Sequence, residues 1–354
     1  MRSMFTSRPT KSPAPSKEKG VALVLAVMIS AIVVAISVKA SWHFDMGLTR
    51  SANRWHSQQA DAYMVGLEGL VHSALKVDKE ETEYDHLGEF WAMEQPPFPT
   101  DEGGYIKGVI EDAHGRLNLN LLAKKGNQKP GAPLHEKYTT SQKRFIRLLQ
   151  TIELEEGEFL TEGDAVTLTD AVIDWIDPDN DVSGFGGAES DYYSSLEIPI
   201  QRANRPMISV SELMVIKGMT PQLYRGLLPY VIALNDPTAM TNINTMLPPL
   251  LRTLNSPELL VPLTIEEAEQ MVEGRGAEGF ESIEFFKDSD VVAMVLGAGH
   301  GNNPAVSTED LTVNSDYFLL FGEVMVGDHT RRSNALLFRA GDKVVTLRRT
   351  DANF

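Results

Sequence analysis

Val21-Ala-Leu-Val-Leu-Ala-Val-Met-Ile-Ser-Ala-Ile-Val-Val-Ala-Ile-Ser-Val38 is an 18-residue run without a charge, in which Ser30 and Ser37 are the only clearly polar side chains. At about 1.5 Å rise per residue it makes roughly 27 Å of helix, close to the ~30 Å hydrocarbon core of a bilayer. Such a run must be buried in lipid, in a bundle of helices, or in each in turn. Charge is split around it. The chain of 354 residues carries 32 Lys+Arg against 49 Asp+Glu, a formal charge of −17. Within the first 20 residues Arg2, Arg8, Lys11, Lys17 and Lys19 face only Glu18, so that segment is +4 and the remainder −21. Basic residues before the run and an acidic body after it predict a single-pass membrane protein with a cytoplasmic N-terminus and a body sent outward. The acidic body argues against nucleic acid as a partner. With no cysteine, the body lacks the disulfides usual outside the cytosol, and another staple is expected.

Residues 1–20 read as a disordered leader rich in Ser, Pro and Lys. A secretory signal peptide fits poorly, because the apolar run exceeds the usual 7–15 residues and Val38-Lys-Ala-Ser-Trp is a weak cleavage site. The alternative cut lies between Gly20 and Val21, which keeps the run in the mature chain. Nothing stops a helix there: no proline occurs between Lys39 and Val77. Trp42, Met46, Ala52, Trp55, Ala62, Leu67, Leu70 and Ala74 give a loose apolar stripe expected to pack on a following sheet. One helix from Val21 to about Val77 is predicted, a membrane half (21–38) followed by an amphipathic half.

A basic leader ending in Gly20, a cut before Val21 and a long half-apolar helix resemble the type IV pilin-like proteins. The resemblance implies cleavage by a prepilin peptidase, N-methylation, and stacking of helices inside a filament. Most such chains carry Glu as the fifth mature residue, where it neutralises the terminal amine of the neighbouring subunit nearer the tip. Here that position is Leu25. A subunit with no neighbour above has no amine to neutralise, so Leu25 resembles the tip subunit, the K-class minor pseudopilin of type II secretion. The resemblance implies an inner-membrane protein with a periplasmic body.

The following segments carry the resemblance further. Gly103-Gly-Tyr-Ile-Lys-Gly-Val-Ile-Glu-Asp alternates like a strand, and Asp112-Ala-His-Gly-Arg-Leu-Asn-Leu-Asn is similar to the K-class wording after it. His114-Gly115 reads as a turn, Asn118 and Asn120 as ligands of backbone groups, and Arg116 as the partner of Asp112. Helical patterns run from Thr140 to about Leu234, with a cap at Ser209 or Ser211, then through Leu254 and from Thr264 to Glu273. Tyr317–Val326, Ser333–Phe338 and Lys343–Arg348 read as a meander with turns at Gly327-Asp328 and Gly341-Asp342. The fold class is α+β: a pilin-like fold, long N-terminal helix on an antiparallel sheet, with a large inserted all-α domain. The boundaries are 39–122 for the amphipathic helix and first pilin-like part, 138–236 for the insertion, and 240–354 for the helices and meander that complete the pilin-like part.

Asp174, Asp177, Asp179, Asp181, Glu189 and Asp191 fall within 18 residues with no Lys or Arg between them. Carboxylates this close repel unless a cation joins them, and hard oxygens in a flexible loop suit Ca2+. Asp177, Asp179 and Asp181 match the first three ligand positions of an EF-hand, but Val182 stands where its glycine belongs and Glu189 falls one residue late. Gly184, Gly186 and Gly187 let the loop fold back instead. Trp175 and Tyr192-Tyr193 call for burial at its edges, and Asp-Trp-Ile-Asp-x-Asp followed by Gly-Ala-Glu-x-x-Tyr-Tyr resembles the calcium-binding segment of the K class. Asn204 is expected to add an oxygen.

No His-Glu-x-x-His, Gly-x-Ser-x-Gly or P-loop occurs, and no two of the eight histidines stand at i,i+4, so no enzyme is expected. Gly297-Ala-Gly-His-Gly-Asn-Asn reads as a surface loop. Val215-Ile-Lys-Gly-Met-Thr-Pro resembles a helix-hairpin-helix turn, but Thr220 replaces its second glycine. The K-class resemblance implies a tip complex with the I- and J-class minor pseudopilins, packed against Trp42, Trp55 and their neighbours. It also implies the H class below, and contact with the inner-membrane secretion platform. The alternative is a minor pilin of a type IV pilus or DNA-uptake system; a membrane-anchored hydrolase is the third reading.

Overall fold

The computed structural model describes residues 18–101, 103–127, 129, 131–297, 305–341 and 343–351. Most of the leader, most of the glycine-rich segment after Gly297, and Asp342 lie outside the described residues. Helix α1 spans Glu18–Glu81. The chain divides into two compact units, one ending at Gln59 and the other running from Ala60. In the first unit the apolar window of α1 has none of its residues buried.

In the second unit the strands are β1 Phe98–Pro99, β2 Tyr105–Asp112, β3 Leu117–Asn118, β4 Val231–Ile232, β5 Thr241–Asn242, β6 Leu311–Thr312, β7 Tyr317–Val326, β8 His329–Ala340 and β9 Lys343–Thr350. An antiparallel sheet has the order β1-β2-β7-β8-β9. On it lies the end of α1, which buries Ala60, Met64, Leu67, Val71 and Leu75 against Phe318, Leu320, Val324 and Leu337. Gly108 and Gly322 pair directly across β2 and β7. A Cβ at Gly108 would press on Leu67 and one at Gly322 on Met64. The two glycines thus form the flat spot on which the helix seats. Of the expected stripe only Leu67 is buried in this unit; Ala62 and Leu70 face outward and Ala74 is half-buried. That is a correction with a simple cause. The helix is apolar on more than one side, so spacing alone cannot fix its rotation, and the glycine pair does.

β2 and β7 are neighbours in the sheet, yet the whole helical region separates them in sequence. The chain leaves and re-enters through two short parallel ladders, β3 with β4 and β5 with β6. Asn118 Oδ1 accepts from the Leu234 amide (3.1 Å) and its Nδ2 donates to the Asp236 carbonyl (3.1 Å). Asn120 accepts from the Met207 amide (2.7 Å) and donates to the Met207 and Leu234 carbonyls. The inserted helices are α2 Thr140–Leu149, α3 Glu162–Ile176, α4 Ser190–Ser194, α5 Pro221–Leu227, α6 Pro248–Leu251, α7 Ile265–Arg275, α8 Ile283–Lys287 and α9 Asp290–Leu296. Thr139 with Gln142 and Thr264 with Glu267 form capping boxes at α2 and α7. One core joins Phe145, Trp175 and Leu213 to Leu250, Leu251 and Phe286, so packing is continuous across residues 236–240.

Three local readings change. Ser209 caps as expected, but Val210–Val215 is a 3-10 turn rather than an α-helix. The helix before Leu254 is a single turn, Pro248–Leu251. Arg116 pairs with Glu111, not Asp112. Asp112 is buried, and its carboxylate accepts from the His114 amide (2.8 Å), Thr245 Oγ1 (2.6 Å), Ser315 Oγ (2.6 Å) and Asn242 Nδ2 (3.1 Å). Neighbours on a strand face opposite ways, which puts Glu111 outside when Asp112 is inside.

Candidate metal centre

Helix α3 starts at the Thr161 cap, whose hydroxyl accepts from the Asp164 amide. Its inner face carries Asp170, Asp174 and, as C-cap, Asp177, all buried. Asp170 fastens the loop that follows: it accepts from Tyr138 Oη (2.8 Å) and from the Gly186 amide (3.2 Å). Asp174 Oδ1 accepts from the Ser183 amide (2.9 Å). The glycines are required by contact. A Cβ at Gly184 would overlap the Asp170 carboxylate, at Gly186 the Thr167 carbonyl, and at Gly187 the Asp174 carboxylate. Gly184 also has φ of +52°. So the loop folds back and delivers Glu189, the N-cap of α4. Trp175 and Tyr193 are buried edge to face with ring centres 5.2 Å apart, and Trp175 Nε1 donates to Glu212.

Asp177, Asp179 and Glu189 bring carboxylate oxygens within 4.8 Å of one another. Asp174 is close enough to act on Asp177 by its charge. Burial, then the charges of Asp179, Asp174 and Glu189, push the Asp177 carboxyl up to about 7 despite Arg202. Burial raises Glu189 as well. Asp179 moves the other way, held low by its hydrogen bond from Lys125 and by the Asp181 amide. The other expected ligands lie differently. Asp181 is exposed beside the cluster, and Asp191 is exposed in the first turn of α4. Asn204, at φ +46°, has its Oδ1 buried without a hydrogen-bond donor.

Arg202 completes the arrangement. Its side chain is 1% exposed, with Nη2 2.8 Å from Glu189 Oε2 and Nη1 3.3 Å from Asp177 Oδ1. It also donates to the carbonyls of Asp174 and Asp179 and to Asn180 Oδ1 (3.2 Å). The sequence singles out Asn204 but not Arg202 two residues before it, which arrives from outside the acidic run. Asp174, Asp177, Asp179 and Glu189 outnumber Arg202 and Lys125 by two charges. The cluster holds oxygens and no sulfur or imidazole, and Asp174 Oδ2 and Asp177 Oδ2 are buried with no donor. A hard divalent cation fits that set.

A second acidic group, Asp78, Asp85 and Glu89, was not anticipated. It is filled by protein donors. Buried Arg339 donates to Asp78 (2.8 Å), to Asp85 and to the Ser315 carbonyl (2.8 Å), and lies 4.7 Å from the centre of the Phe318 ring. Glu89 accepts from Thr82 Oγ1, the His86 amide and Trp91 Nε1. Burial raises Asp78 and Asp85 to about 6 each. This cluster ties α1 to the sheet. At the hairpin-like turn, the Thr220 hydroxyl accepts from the Leu223 amide and caps α5, a packing role.

Comparison with known proteins bears on the whole chain. Two family models described as type II secretion system, protein K, match residues 115–236 and 241–314. The protein K of Pseudomonas aeruginosa is 34% identical over 332 residues, spanning 92% of this chain and 90% of that one. The chain belongs to the protein K family of type II secretion. The protein K of Aeromonas hydrophila is 31% identical over 95% of this chain and 98% of its own. A solved structure, the GspK-GspI-GspJ complex of the enterotoxigenic Escherichia coli type 2 secretion system, matches at 25% identity with a TM-score of 0.68. The match covers 86% of this chain and all of that one. The family therefore carries the α+β, pilin-like fold, and the chain is a minor pseudopilin of this protein-transport system. The relatives are structural secretion components rather than enzymes.

Proposed function

We propose that the chain is the tip subunit of the pseudopilus, which begins assembly and caps the filament for protein export across the outer membrane. The observation that carries this reading is Leu25, an apolar residue at the fifth position after Gly20, in an apolar stretch of α1 with no buried residue, where filament-body subunits hold Glu. The helix is in lipid before assembly and at the head of a filament afterwards, with the N-terminus cytoplasmic and the body periplasmic. A prepilin peptidase cuts between Gly20 and Val21, and Val21 is N-methylated. Partners of the I and J classes cover Trp42 and Trp55, which are 59% and 65% exposed; the similarity to a GspK in complex with GspI and GspJ supports those two. The H class below and the inner-membrane platform complete the set. The test is co-purification of the full-length chain with its I- and J-class counterparts from detergent-solubilised membranes. A stable three-component complex is expected; a chain that purifies alone refutes the reading.

The acidic cluster is read as a Ca2+ site held by Asp174, Asp177, Asp179 and Glu189, with a further oxygen from Asn204, whose Oδ1 is buried without a donor. Two donor-free buried carboxylate oxygens and the unbalanced charge support it. In a chain without disulfides, ion binding becomes folding free energy.

A further inference from the structure

The cluster already contains a cation of its own. The Arg202 guanidinium touches the Asp177 and Glu189 carboxylates, the Asp174 and Asp179 carbonyls and Asn180 Oδ1. These are hard oxygens of the kind a divalent ion selects. Yet the fit is incomplete: Arg202 Nε is buried without an acceptor, while Asp174 Oδ2 and Asp177 Oδ2 are buried without a donor. A guanidinium that simply completed a buried ion pair would leave no buried carboxylate oxygen bare. Arg202 also sits in residues 199–204, outside any helix or strand, where its backbone can shift without breaking a ladder.

We propose that Arg202 is a built-in counter-ion that competes with the metal for the same oxygens and thereby sets the affinity of the site. The proposal rests on the calcium reading above. When calcium is scarce, Arg202 limits the repulsion among the carboxylates and keeps α3, the glycine loop and α4 together. When calcium is abundant, the ion takes over that role, and the arginine's charge is what it must overcome. The site therefore loads only above a threshold of calcium set by one side chain.

The test compares the wild-type full-length chain with Arg202→Met and Arg202→Lys in detergent, by calorimetric titration with calcium chloride and by thermal melting with chelator or with calcium. Competition predicts that Arg202→Met binds calcium about tenfold tighter or more, since one nearby charge is readily worth that factor. It also predicts that this variant melts lower than wild type in chelator, so that its calcium-induced rise in Tm is the larger. Arg202→Lys keeps the charge and should stay within about threefold of wild type. A variant that folds only when calcium is present supports the proposal. Wild-type binding with equal or weaker binding by Arg202→Met overturns it and leaves the calcium reading standing. Absence of binding by all three overturns both.

Discussion

Arg339→Met tests what holds α1 to the sheet. The guanidinium is buried, spans Asp78 and Asp85, and lies over Phe318. Methionine would keep most of the apolar contact and remove the charge. Asp78 and Asp85 would then face each other, Glu89 and Asp112 with no cation inside. Removing one partner of a buried pair leaves an uncompensated charge, and about 3–5 kcal/mol is expected at pH 7.5. For a domain of this size that lowers Tm by roughly 6–15 °C. The pH dependence gives the reasoning a second handle. Both carboxyls already stand at about 6 in the folded protein, above the ordinary carboxylate value. The folded state thus holds protons that the unfolded state releases between about pH 4 and 6, and their stabilisation is lost as pH rises through that window. Each such group contributes up to about 1.4 kcal/mol per pH unit. In Arg339→Met the carboxyls rise further, so the deficit should shrink on moving from pH 7.5 to 5. Melting of wild type and variant at both pH values checks this. A deficit under 2 °C at neutral pH, or one that does not change with pH, would refute the argument.

Other outcomes follow from the same contacts. Chelator should lower the Tm of the full-length chain and calcium should restore it, whereas Asp177→Asn should melt the same with or without calcium. Gly186→Ala places a Cβ on the Thr167 carbonyl and should cost about 1–3 kcal/mol with weaker calcium binding, read by melting and titration. Leu25→Glu should impair secretion in cells that lack the native chain, because its charge meets no amine above; normal export would mean that Leu25 is incidental.

Local chemistry was readable from the residues, and long-range chemistry was not. The apolar run, the alternation in β2, the meander of β7 to β9 and the cap at Ser209 depend on near neighbours. The glycine loop was legible too, since Gly184, Gly186 and Gly187 stand between the carboxylates they allow to meet. Arg202 and Arg339 were not, because each reaches its acids only after the chain has folded back, across up to 261 residues for Arg339 and Asp78. The rotation of α1 was hidden for another reason: several of its faces are apolar, and the glycines that choose one come from β2 and β7. Glu111 as the partner of Arg116 could have been found from strand parity alone.

The tip position can be measured directly, because the chain has no cysteine to interfere. Glu269 on α7 is exposed, and Glu269→Cys offers one site for a maleimide-gold label on isolated pseudopili viewed by electron microscopy. The account predicts a single label at one end of each filament. Labels spaced along the filament length would contradict it.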